Sequence, residues 1–139
     1  MNRFTFYLLS FTWGLPLTIV GCVVALFLMM TGHKPKRWGY CWYFEIGENW
    51  GGLELGVVFL TQKHPTKHLK DHELGHGIQN CYYGFFMPFI VCIPSAMRYW
   101  YREYITRIKP EIILPPYDSI WFEGQATRLG KGVDKHGVS

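Results

Sequence analysis

The stretch His72-Glu73-Leu74-Gly75-His76 lies inside a proline-free run from Thr66 to Tyr83. Thr66 offers an N-cap oxygen and Gly84 a C-terminal stop, so the run predicts a helix. On a helix, residues four apart project from one face about a turn apart. His72 and His76 can therefore present two imidazoles to one tetrahedral ion. Glu73 sits beside them, placed to reach a water rather than the ion and to take its proton.

A catalytic ion site needs a third protein ligand and an open fourth position. His33, His64, His68 and His136 are the remaining histidines. His68 shares the helix, but it lies about 12 Å from His76 along the axis, too far to share an ion easily. Among the carboxylates Glu123 stands out, in Trp121-Phe122-Glu123-Gly124-Gln125-Ala126-Thr127, because a lone glutamate set against Trp121 and Phe122 is an odd choice for a solvated face. Glu111 and Asp118 are weaker alternatives, and Asp118 serves better as a helix cap.

Outward from this centre the chain is apolar. Of 139 residues, 49% are hydrophobic and 18% aromatic against 17% charged, which is greasy for a purely soluble domain. The net charge of +4 comes in pairs of Lys and Arg near apolar segments. No basic block resembles a nucleic-acid arm, so the expected partner is a lipid bilayer rather than nucleic acid. Cys22, Cys41, Cys81 and Cys92 show no metal-ligand spacing and read as small buried thiols, not as a disulfide framework.

Phe4 to Met30 carries no charge and is long enough for one transmembrane helix, with residues 1–37 forming the anchor and its basic flank. Lys34, Lys36 and Arg37 follow the run, and positive-inside bias then predicts an inner-membrane protein with a cytoplasmic body. Tyr40 to Ile46 and Leu53 to Leu60, separated by Gly47-Glu48-Asn49-Trp50-Gly51-Gly52, predict a β-hairpin. Gly56 inside its second strand marks a bulge or a close backbone approach. Phe85 to Met97 is apolar but holds Pro88 and Pro94, which predicts a bent, re-entrant or surface-lying segment. Arg98 to Lys109 reads as an interfacial helix, aromatics at the headgroups and cations snorkelling. A last helix is predicted from Asp118, its N-cap, to Gly130, with Tyr117 and Phe122 at staple spacing. Residues 131–139 read as a tail. The expected fold is α+β, with the metal-site domain over residues 38–130.

His72-Glu73-Leu74-Gly75-His76-Gly77-Ile78-Gln79, then Pro88, Pro94 and Ser95, then Trp121-Phe122-Glu123-Gly124-Gln125-Ala126, resembles small bacterial membrane metallopeptidases of gluzincin type. More distantly, Glu123-x-x-Ala126 is similar to the Glu-x-x-Ala-Asp segment of the CaaX prenyl protease and heat-shock membrane protease type. The likeness spans roughly residues 50–130. It implies Zn2+ held by His72, His76 and Glu123, Glu73 as general base, and hydrolysis of a peptide or membrane-protein substrate. It also implies that the substrate backbone adds to a strand beside the active helix, for which Leu53, Glu54, Leu55, Gly56 and Val57 are the available residues. The chain departs from the pattern at Thr127, where the resemblance leads one to expect an aspartate. Thr127 or Asp71 would then have to orient a ligating imidazole. Tyr117, His68 and Arg128 are all possible oxyanion donors. The rival from another class is a non-catalytic membrane assembly protein whose zinc only staples two helices.

Overall fold

The computed structural model describes residues 1–134. Its order is α1 (Arg3–Ser10), α2 (Leu15–Met30), β1 (Lys36–Trp38), β2 (Cys41–Glu45), β3 (Gly52–Leu55), β4 (Val58–Thr61), α3 (Lys67–Tyr83), α4 (Ile93–Ile108) and α5 (Trp121–Asp134). The class is α+β, with five α-helices and a four-stranded mixed sheet among the described residues.

α3 begins and ends as its sequence dictates. The Thr66 side chain accepts from the Leu69 amide at 3.1 Å, and Gly84 closes the helix at φ +55°. Every residue from Asp71 to Cys81 is buried, so α3 is enclosed on all sides. Its tightest neighbour is α5. A Cβ on Gly75 would fall on the Ala126 carbonyl, and one on Gly130 would fall on the Asp71 carbonyl. The two backbones cross in contact because glycine stands at both points.

The sheet differs from the predicted hairpin. β2 pairs with β4 in parallel, Tyr43 opposite Phe59, and the strand order is β1-β2-β4-β3. The run Leu53 to Leu60 is itself a tight hairpin of β3 and β4, turned at Gly56-Val57 with Gly56 at φ +80°. Gly56 is a turn residue rather than a bulge, and it does allow a close approach: a Cβ there would lie 2.6 Å from the Thr18 Cα. All four residues of β4 are buried, between α2 on one face and α3 on the other. A strand covered on both faces reads as one apolar run, which hides its period.

The predicted transmembrane helix is not a single helix. Phe4 to Met30 breaks between Ser10 and Leu15 and bends by 94°, and no single helix among the described residues is long and apolar enough to cross a membrane. Gly14 and Pro16 mark the break. Pro16 falls in the first turn of α2, where its missing N–H costs nothing. The Gly14 carbonyl accepts from Asn80 Nδ2 at 3.1 Å, tying the bend to α3. α1 then lays Phe6 and Ser10 into the core beside Cys81, while α2 packs Leu17, Gly21 and Ala25 over the β3–β4 hairpin. Ile19, Val20, Val23, Leu26, Phe27 and Met30 remain exposed on its outer side, and Cys22 is exposed with them rather than buried.

After α3 the chain turns by 115° through a 3₁₀ turn (Gly84–Phe86) and a π-helical turn (Pro88–Cys92) into α4. α4 has no fully buried residue. α5 starts at Trp121, three residues later than predicted, and runs past Gly130 to Asp134; the rest of the predicted tail, with His136, lies outside the described residues.

The glycine contacts give a direct test of the crossing. Gly75→Ala should destabilise by about 1–3 kcal/mol, the usual cost of overpacking. Gly132→Ala, with open space around it, should stabilise by about 0.5–1 kcal/mol. Thermal unfolding of the two variants checks both signs.

Candidate metal centre

The α3–α5 crossing brings three side chains to one point. His72 Nε2 lies 2.9 Å and His76 Nε2 3.0 Å from the same oxygen, Oε2 of Glu123, and the two ring nitrogens are 3.1 Å apart. All three residues are buried, and Glu123 completely so. These ligand atoms all lie within 4.8 Å of one another and could hold a metal ion. A tetrahedral ion with bonds of about 2.0–2.1 Å holds its ligands about 3.3 Å apart, so the site needs to open by only a few tenths of an ångström.

Each ring is oriented from behind. His76 Nδ1 meets Gln79 Oε1 at 2.7 Å. The Gln79 amide nitrogen donates to the Phe122 carbonyl and to Gln125 Oε1, both at 2.8 Å, which leaves Oε1 as the atom facing the ring. An acceptor there puts the proton on Nδ1 and keeps the Nε2 lone pair free. Thr127 Oγ1 takes the equivalent place 2.9 Å from His72 Nδ1. On the carboxylate, Glu123 Oε1 accepts from Ser95 Oγ at 2.5 Å, so Oε2 alone is turned to the rings.

Burial alone would raise the Glu123 carboxyl, but its close contacts with His72 and His76 outweigh it and hold the group well below the usual carboxylate range. His76 is raised against the opposing effect of burial, chiefly by its bond to Glu123. Burial raises Glu73, with the nearby histidines pulling the other way. A carboxylate kept anionic between two imidazoles is the donor set a divalent ion prefers.

His72, Glu73 and His76 form one wall of a cavity of about 740 Å³. Gly52, Leu53 and Glu54 of β3 form another, and a Cβ on Gly52 would lie 2.6 Å from Glu73 Oε1. Met87, Val91, Ala96, Tyr99 and Trp100 make the remainder largely apolar. Of the five residues expected on a substrate-binding strand, Leu53 and Glu54 line this cavity. Leu55, Gly56 and Val57 do not: they belong to the end and turn of the hairpin, which packs under α2. Tyr117 and His68 also line the cavity and Arg128 does not; burial pushes the Tyr117 phenol up to about 12.

Asp71 is not at the site. Its carboxylate accepts from Trp38 Nε1 at 2.9 Å and from Lys67 Nζ at 2.7 Å, and so fastens β1 to α3. Nor is Asp118 free to act simply as a cap, since its Oδ2 accepts from Thr127 Oγ1 at 3.4 Å. Gln79 and Ser95 were not picked out as site residues from the sequence. Gln79, three residues after His76 on the same helix face, carried a usable spacing signal; Ser95 carried none.

Fold and site together define an α+β protein with a buried His-His-Glu group whose two histidines line a cavity. A scan against models of known families finds no match, and neither do searches of curated proteins and of solved structures.

Metal analysis of the purified protein should give near one equivalent of divalent ion, lost in His76→Ala and in Glu123→Ala. Asp71→Asn should keep it, because Asp71 touches Trp38 and Lys67 instead.

Proposed function

We propose that this chain is a membrane-associated zinc metallopeptidase. The observation that carries the reading is the shared cavity: His72, His76 and Glu73 form one wall, with Glu123 buried behind the two imidazoles, and an edge strand lies on the next. Zinc held by His72, His76 and Glu123 would polarise a carbonyl and lower the pKa of a water towards about 7.

The remaining work falls to the chain. Glu73, buried and raised, takes a proton from the attacking water on a carboxylate oxygen as the water oxygen bonds to the carbonyl carbon. The same proton passes to the amide nitrogen as the C–N bond breaks, leaving a carboxylate and an amine. β3 has β4 as its only strand neighbour among the described residues, so its other edge can pair with an extended substrate backbone. Strand addition holds a peptide without demanding one sequence, while the apolar cavity walls favour bulky apolar side chains beside the scissile bond. Tyr117, whose ring lies 6.1 Å from that of His72, is better placed than His68 or Arg128 to donate to the developing oxyanion.

Membrane association rests on the outer surface rather than on a crossing helix. The exposed face of α2 runs on to Trp13, whose ring meets Phe85 at 5.4 Å and Phe86 at 5.9 Å. Phe89 in the π-helical turn and Ile93, Met97 and Trp100 on α4 are exposed apolar side chains as well. Exposed apolar surface of this extent marks a membrane or protein contact, and Lys34 after α2 with Arg98 and Arg102 on α4 favour the anionic lipid of a cytoplasmic leaflet.

Glu73→Gln should retain zinc while hydrolysis of an apolar peptide library falls by roughly 10²–10⁴-fold. Undiminished hydrolysis would remove Glu73 from the reaction, and a zinc-loaded wild type that cleaves nothing would leave zinc a stapling role. Val23→Gln with Phe27→Gln should reduce flotation with anionic vesicles and leave zinc content unchanged.

A further inference from the structure

Thr127 stands next to a ligating imidazole, yet a hydroxyl has no charge with which to strengthen that ligand. Its Oγ1 lies 2.9 Å from His72 Nδ1 and donates to Asp118 Oδ2 at 3.4 Å. A hydroxyl has one proton to give. Given to Asp118, it leaves Oγ1 an acceptor towards His72, so Nδ1 carries the ring hydrogen. The Nε2 lone pair then faces His76 and Glu123.

We propose that Asp118, acting through Thr127, is the positioning carboxylate of the metal centre, fixing the tautomer and orientation of His72. This rests on the metal-site reading above. Carboxylates behind ligating histidines do this directly in many metal sites; here the carboxylate is one hydroxyl further away and comes from the segment before α5.

The backbone is arranged to deliver it. Asp118 lies in a 3₁₀ turn, Tyr117–Ser119, and the extended Ile120 (φ −81°, ψ 148°) folds that turn back over α5. The fold-back needs Gly124, because a Cβ there would lie 2.9 Å from the Asp118 carbonyl oxygen. Gly124 and Thr127 are three apart on α5 and so share a face. Arg98 Nη2 holds the turn from the other side, donating to the Tyr117 carbonyl at 3.0 Å and to Ser119 Oγ at 3.2 Å. The two imidazoles are thus held by different devices. His76 leans on the neutral amide of Gln79, and only His72 is linked to a carboxylate behind it.

The test uses the full chain and zinc alone, with affinity measured by competition against a chromophoric chelator. Thr127→Val and Asp118→Asn should each weaken zinc binding by roughly 10–100-fold, and Thr127→Ser should bind as the wild type does. Thr127→Asp supplies a carboxylate directly, so adding Asp118→Asn to it should cost nothing or tighten binding. Equal losses from Asp118→Asn in both backgrounds would mean a merely structural residue and overturn the proposal. In zinc-loaded protein the His72 Nδ1 proton should shift upfield in Asp118→Asn while that of His76 stays; an unmoved His72 signal would also overturn it. A folded wild type that binds no zinc would instead defeat the metal-site reading and the proposal with it. Normal zinc binding in both wild type and Asp118→Asn would defeat the relay alone.

Discussion

The structure depends on the backbone-to-backbone crossing of α3 and α5. Gly75 meets Ala126 and Gly130 meets Asp71 at separations that leave no room for a Cβ. That contact brings the two helix backbones closer than side chains at the crossing would allow. At this spacing short side chains can span the gap, so Glu123 reaches both His72 and His76 and Thr127 reaches His72. A wider crossing would break the contacts of Glu123 with both rings and of Thr127 with His72, buried polar contacts whose loss costs about 1–3 kcal/mol each. Fold and site therefore stand or fall together.

The same enclosure explains why α3 is not amphipathic. From Asp71 to Cys81 it buries two histidines, two acids, Gln79 and Asn80 along with Leu74 and Ile78. Such a helix is tolerable only if its polar groups are bonded. Asp71 binds Trp38 and Lys67, Gln79 binds Phe122 and Gln125, and Asn80 donates to Gly14. The bonds that leave the helix tie α3 to β1 through Trp38, to α5 through Phe122 and Gln125, and to the α1–α2 bend through Gly14. The polar content that equips the site also organises the packing around it.

Much of this was legible in the sequence, for stated physical reasons. Thr66 and Gly84 bounded α3 because capping is local, and the four-residue spacing of His72 and His76 was visible because a helix imposes it. Glu123 was found by its apolar flanks. What stayed hidden depended on contacts between distant residues. Gly56 could be read as a break in a strand, but not that β4 would slip between β2 and β3. Phe4 to Met30 was uncharged and long, yet its bend is held by Asn80 more than sixty residues away. Asp118 had the composition of a cap, and its bond to Thr127 follows from a fold-back that only Gly124 permits.

X-ray absorption at the zinc edge of the loaded protein tests the central claim most directly, since it reads the ligands themselves. Two imidazoles and oxygen ligands at about 2.0–2.2 Å in four-coordinate geometry, with no sulfur, are the expected result. A sulfur shell at about 2.3 Å, or an ion surrounded by water with no imidazole scattering, would contradict the convergence of His72, His76 and Glu123 on one ion.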